Sequence, residues 1–217
     1  MKSEMTVFLV LVAVGMTASQ SHAIDFCYEY LHRGEYEKAV DECTKSINAG
    51  KQSAHVDYFN RGNAYVEKGQ LDQAIADYGK AIELNPWYDS AYSNRGNAHS
   101  AKGELDNAMA DYTKAIELNP QNEQAHNNLG SLYLEKGQYA EAEKEIKKAL
   151  ELNPDGIPAT ITMAEYYSLM NNGDEACRWL RKGIEKGFED WDYVKTHKVF
   201  DNIRDISCYR DIMQRKK

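Results

Sequence analysis

The chain has 217 residues, enough for one repeat array or two small domains. Charged residues make up 28% and hydrophobic residues 42%, with four prolines, a balance that suits an exposed helical protein with thin cores. The formal charge of −8 argues against a surface for nucleic acid or an anionic membrane, since both need basic patches.

Residues 1–23 read as a targeting segment outside the fold. Lys2 precedes an apolar run from Met5 to Ala18. That run is too short for a spanning helix, which takes about 20 apolar residues. Ser21-His22-Ala23 then puts small residues where a signal peptidase reads, and cleavage is expected after Ala23. The other reading is an uncleaved anchor, because Glu4 offsets Lys2. Residues 24–26 before Cys27 are not the small apolar run that lipidation needs.

Residues 24–50 form a degenerate first hairpin, with helices expected over 24–33 and 37–48 and a glycine cap at Gly50. Residues 51–156 hold three regular copies. Asp77 to Pro86 (DYGKAIELNP) returns as Asp111 to Pro120 (DYTKAIELNP), and a looser copy ends at Pro154. This fixed spacing is the signature of a repeat array. In the first copy Lys68-Gly69-Gln70 makes the turn. Ala74, Ile75, Tyr78, Ala81 and Ile82 share one face of the second helix, and Asn85-Pro86 ends it. The turn recurs at Gly103 and Gly137. Gly62, Gly96 and Gly130 fall mid-helix, where glycine costs roughly 1 kcal/mol against alanine. Close helix approach is the expected reason, with Ala74, Ala108 and Ala142 as the small partners. Residues 157–186 form a drifting fifth hairpin, whose turn (Met170 to Gly173) sits late against the period. Residues 187–217 leave the period and read as short helices that cap the stack.

The columns Tyr58, Gly62, Tyr65, Ala74, Tyr78, Ala81 and Pro86, repeated as Tyr92, Gly96, Ala108, Tyr112, Ala115 and Pro120 and again through Gly130, Tyr133, Ala142, Ala149 and Pro154, resemble the tetratricopeptide repeat family. His99, His126 and Ile146 stand in aromatic columns, and Arg61 and Arg95 where the family more often has leucine. The resemblance covers residues 24–185. It implies an all-α, right-handed superhelical solenoid of helix-turn-helix hairpins closed by a short helical C-terminal cap. It leaves the Arg61 and Arg95 faces wetter than usual.

Cys27, Cys43, Cys177 and Cys208 all follow the leader, and an even count in an exported chain favours disulfides. In such an array Cys27 and Cys177 lie about four repeats, at least ~30 Å, apart. A disulfide needs Cα atoms within about 7 Å. The pairs expected are Cys27–Cys43 and Cys177–Cys208. Buried reduced thiols are the other reading. No metal-binding spacing occurs, no cofactor is implied, and no catalytic motif is present. His99 and His126 read as packed side chains, and the chain reads as no enzyme.

The resemblance places the first helices along a concave groove that holds peptides. Here those columns carry Phe59, Asn63, Val66 and Glu67, then Ser93, Asn97 and Ser100, then Asn127, Ser131, Leu134 and Glu135. Asn60, Asn94 and Asn128 lie one step over. Carboxamides both donate and accept, so this ladder suits the backbone of an extended peptide. The lysines and arginines that clamp a C-terminal carboxylate in some relatives are missing. The expected function is a non-catalytic scaffold binding a peptide or partner protein, exported to the periplasm or secreted. The alternative is a self-associating envelope assembly factor.

Overall fold

The computed structural model describes residues 26–50 and 53–214; the expected leader and its cleavage site lie outside them. Regular structure among the described residues is helical throughout. Helix α1 covers residues 26–32. It is followed by α2 (Tyr36–Asn48), α3 (Ala54–Glu67), α4 (Leu71–Leu84), α5 (Asp89–Ala101), α6 (Leu105–Leu118), α7 (Glu123–Glu135) and α8 (Tyr139–Leu152). Then come α9 (Ile157–Leu169), α10 (Gly173–Glu185), α11 (Trp191–Thr196), a 3-10 turn (Lys198–Ile203) and α12 (Ser207–Gln214). The all-α fold of repeated hairpins expected from the sequence is the fold observed. The chain forms two compact units, one ending at Asp111 and one beginning at Tyr112.

The period is set by one backbone requirement. Gly69, Gly103 and Gly137 take φ of +71°, +76° and +71°. This left-handed residue lets the chain fold back on the helix before it, as where Gln70 N–H donates to Tyr65 O at 2.8 Å. The next left-handed residue is Asn171, with φ of +55°. It keeps the spacing, so the fifth turn is not late. Asparagine tolerates this region where most side chains do not. The nearby Gly173 opens α10, where an added Cβ would collide with Ile206 of the cap.

The mid-helix glycines do mark close approach, but their partners are not the alanines. A Cβ on Gly62 would stand 2.7 Å from Tyr78 Cε1, and one on Gly130 2.7 Å from Ile146 Cγ1. Each absent side chain makes room for the large residue of the facing helix. Ala142 would meet a Cβ on Gly130 with its carbonyl oxygen, farther off at 3.4 Å. At the other end of each hairpin the Asn-Pro asparagine caps the following loop. Asn85, Asn119 and Asn153 accept from the backbone N–H of Trp87, Gln121 and Asp155 at 3.1–3.2 Å.

The arginine positions are drier than the sequence implies. Arg61 donates to both carboxylate oxygens of Asp77, at 2.6 and 2.8 Å, and to Thr44 Oγ1 at 2.9 Å. Arg95 grips Asp111 the same way, at 2.8 and 2.7 Å. Both acids are buried, and a planar guanidinium matches a carboxylate in this two-pronged geometry. In the next copy the arginine position is Leu129, which is buried, and the acid is Glu145. Its partner is now His126 Nδ1, at 2.6 Å, from the column that holds Tyr58 and Tyr92. The acid persists while its partner moves one turn along the helix.

In the first unit α3 packs against α2, α4 and α5. Its end is tied by a Cys27–Cys43 disulfide, both cysteines fully buried. In the second unit α9 packs against α7, α8, α10 and the 3-10 turn. Val194, Phe200, Ile203, Tyr209 and Ile212 of the cap join Ile161, Ala164 and Leu180 in one core. Ser168 Oγ donates to Val199 O at 2.6 Å, and a Cys177–Cys208 disulfide ties α10 to α12.

Candidate functional site

Each unit carries one hollow faced by first helices. In the first unit it holds about 450 Å³ and is lined from α1 by Leu31 and His32, from α3 by Asn63, Val66 and Glu67, and from α5 by Asn94 and Asn97. Tyr36 and Tyr78 complete it. Its centre is a polar knot. Asn63 Oδ1 accepts from Tyr78 Oη at 2.7 Å and from Asn94 Nδ2 at 2.9 Å. With that oxygen engaged twice, Asn63 offers a ligand its amide N–H groups. Tyr36 Oη donates to Glu67 Oε2 at 3.2 Å, which fixes an acid at the rim. Burial pushes the Tyr78 hydroxyl well above the usual phenol range, so it stays a donor. Among the described residues, no lysine or arginine lines this hollow.

The other groove residues expected in this unit, Phe59, Asn60, Ser93 and Ser100, are not part of this lining. Phe59 lies against Tyr78 and Tyr88, with ring centroids 5.8 and 4.9 Å away. Asn60 and Ser93 are buried, and Ser100 is half-buried.

The second hollow holds about 610 Å³, walled by Ser131, Leu134 and Glu135 of α7, Tyr139 of α8, and Glu165 and Leu169 of α9. Tyr193 and residues 197–199 close it from the cap side. Asn127 is buried, its amide 3.5 Å from the Asn128 oxygen. Glu165 is 8% exposed, and Tyr193 Oη donates to its Oε1 at 2.6 Å. Burial pushes its carboxyl up to about 7, the Tyr193 hydrogen bond pulling the other way.

Reasoning from sequence missed Glu165, Tyr193 and the α1 wall of the first hollow. A signal for Glu165 was present. Counting by the period, Asn63, Asn97, Ser131 and Glu165 occupy one column, and all four line a hollow. Among the described residues, no group of three or more His, Cys, Asp or Glu side chains could hold a metal ion, and no helix is long and apolar enough to cross a membrane.

A family profile described as "TPR repeat" matches residues 62–103 and 96–137, and one described as "Tetratricopeptide repeat" matches residues 123–155. None of the curated proteins matches. A tetratricopeptide repeat protein from Parabacteroides merdae is similar in structure, with 20% identity and a TM-score of 0.71 over 92% of this chain and 77% of that one. YrrB, described as a TPR protein with an unusual peptide-binding site, has 21% identity and a TM-score of 0.62 over 85% of this chain and 91% of its own. The first TPR of Spaghetti (RPAP3), bound to the HSP90 peptide SRMEEVD, has 24% identity and a TM-score of 0.53 over 55% of this chain and 95% of its own. These likenesses show the fold.

Proposed function

We propose that the chain is a non-catalytic scaffold that binds an extended peptide segment of a partner protein in the hollow of its first unit. The observation that carries this is the convergence of three first helices on one cleft where carboxamides stand beside apolar Leu31 and Val66. Such a lining pairs with peptide backbone and seats a side chain, without a cationic clamp for a chain terminus. Two of the structural neighbours are described with peptides or a peptide site, which favours the same use. We place the protein outside the cytosol, in the cell envelope, because two disulfides persist in oxidising compartments. The test is capture of partners from an envelope extract by the oxidised protein, followed by affinity measurement on the captured segment. Substituting Asn63→Ala with Asn97→Ala should weaken that affinity at least tenfold while the array stays folded, at a melting temperature lowered by the loss of the acceptor for Tyr78. Unchanged affinity would remove the hollow as the site.

A second reading is self-association. Its support is Trp87, 79% exposed beside Leu84 at 55%, where the loop after α4 leaves the first unit's surface. Sedimentation at several concentrations decides it, and a strict monomer ends it.

A further inference from the structure

The second hollow contains a charge that backbone recognition does not need. Its column equivalents Asn63, Asn97 and Ser131 are neutral; Glu165 is an acid, more than nine-tenths buried. An unpaired ionised carboxylate in such a place is costly, and a neutral side chain would pack there at lower cost. Tyr193 satisfies one carboxyl oxygen, Oε1. The other has no protein partner among the hydrogen bonds and ion pairs of the described residues, while the residue lines the hollow. Leu134, Leu169 and Val199 give the walls an apolar stretch. Tyr193, its ring 4.6 Å from that of His197, and Tyr139 add aromatic faces. A buried acid in a hollow with apolar and aromatic walls has the build of a receptor for a long cationic side chain.

We propose that this hollow binds a cation carrying N–H donors on a methylene stem, an ammonium or guanidinium, which pairs with Glu165 while its stem lies along Leu134 and Leu169. The pairing exchanges a buried neutral acid for a buried ion pair and releases the Glu165 proton to solvent. The other charged or titratable groups facing the slot are Glu135 from α7, Tyr139 from α8, Tyr193 from α11, and His197 and Lys198 after it. Glu135 and Lys198 are exposed and opposite in sign, so water and salt screen both. Affinity therefore rises as pH climbs through about 7, where the Glu165 carboxyl titrates, and levels above it. This site stands apart from the peptide hollow of the first unit and does not depend on it.

The experiment is calorimetric titration of the oxidised protein at pH 7 in two buffers of different ionisation enthalpy. The probes are n-butylammonium, acetyl-Gly-Lys-Gly-amide and its norleucine counterpart. The two amines should bind with release of about half a proton, as expected for an acid titrating near the working pH, and the norleucine peptide should not bind. Binding of the lysine peptide alone assigns the cation to a polypeptide; binding of butylammonium alone assigns it to a free amine. Glu165→Gln, which keeps an acceptor for Tyr193, should weaken binding roughly tenfold or more and abolish proton release, as loss of a charged hydrogen-bond partner does. Failure of both amines to bind at millimolar concentration, equal binding of the norleucine peptide, or binding without proton release overturns the proposal. The wild-type titrations decide it even where the variant does not fold. Asn63→Ala with Asn97→Ala should leave these titrations unchanged, so failure of the peptide hollow and failure of this slot are read separately.

Discussion

Glu165 makes a claim about stability that needs no ligand. Its carboxyl titrates at about 7 in the fold, against an ordinary value of 4.5. The folded state thus holds this proton more tightly than the unfolded chain does. Between those values the native state binds more protons, so stability falls as pH rises from about 4.5 to about 7 and is level above. At 1.36 kcal/mol per unit, the cost at pH 8 is roughly 3 kcal/mol. Glu165→Gln removes the ionisation and keeps an oxygen to accept from Tyr193. The variant should match the wild type near pH 4 and exceed it by about that amount at pH 8. Urea unfolding with disulfides intact, followed by tryptophan fluorescence, measures it. Trp179 and Trp191 both belong to the second unit, whereas Trp87 is already 79% exposed and reports little. The histidines are common to both proteins and cancel in the difference. A difference independent of pH, or a wild type more stable at pH 8, would refute the reasoning.

Helical glycines should respond with opposite signs. Gly130→Ala drives a Cβ to 2.7 Å from Ile146 Cγ1 and 3.3 Å from its backbone nitrogen, so overpacking of about 1–3 kcal/mol exceeds the gain in helix propensity and the urea midpoint falls. Gly79→Ala meets only the flexible Arg95 Nη1, at 3.8 Å, and should gain up to about 1 kcal/mol by the same measurement. Arg61→Leu leaves Asp77 buried without its guanidinium and should cost about 3–5 kcal/mol. Adding Asp77→Leu should recover most of that loss in a double-mutant cycle, since Leu129 already fills the equivalent arginine position.

The hairpins were legible because each demands the same few things at fixed intervals: a left-handed turn, a gap for a facing ring, and a stop. Helices α4 and α6 to α8 begin and end where the period and the Asn-Pro stops put them. What was misread came from equating a residue type with a role. The fifth turn, read over Met170 to Gly173 as late against the period, is set in register by Asn171, and the glycine admits Ile206. Ala74 was taken as the partner of Gly62, yet the space belongs to the Tyr78 ring. A conformational role can pass from Gly to Asn, and a packing role from methyl to ring, and a one-dimensional pattern records neither exchange. The cysteines were read better, because the distance along a stack restricts which pairs can meet. The cysteines of the first hairpin, and those of α10 and α12, are the pairs the structure joins.

The arginines show why the second helices of the hairpins repeat so closely while the first helices do not. Asp77 and Asp111 sit within the near-identical block, and each is locked by a guanidinium from the first helix of its own hairpin. A change at either end strands a buried charge, so the acid changes to Glu145 only together with a substitute partner. His126 taking over Glu145 is such a substitution. The column that lines the hollows varies instead. Asn63, Asn97, Ser131 and Glu165 pass from amide to hydroxyl to acid at one register. Three amides in one hollow, Asn63, Asn94 and Asn97, favour a backbone with its paired donors and acceptors. An acid in the other, set among leucines and tyrosines, favours a cation. The two hollows then read different features of what they bind, and exchanging Glu165 for the asparagine of its column should remove the amine response while leaving the fold intact.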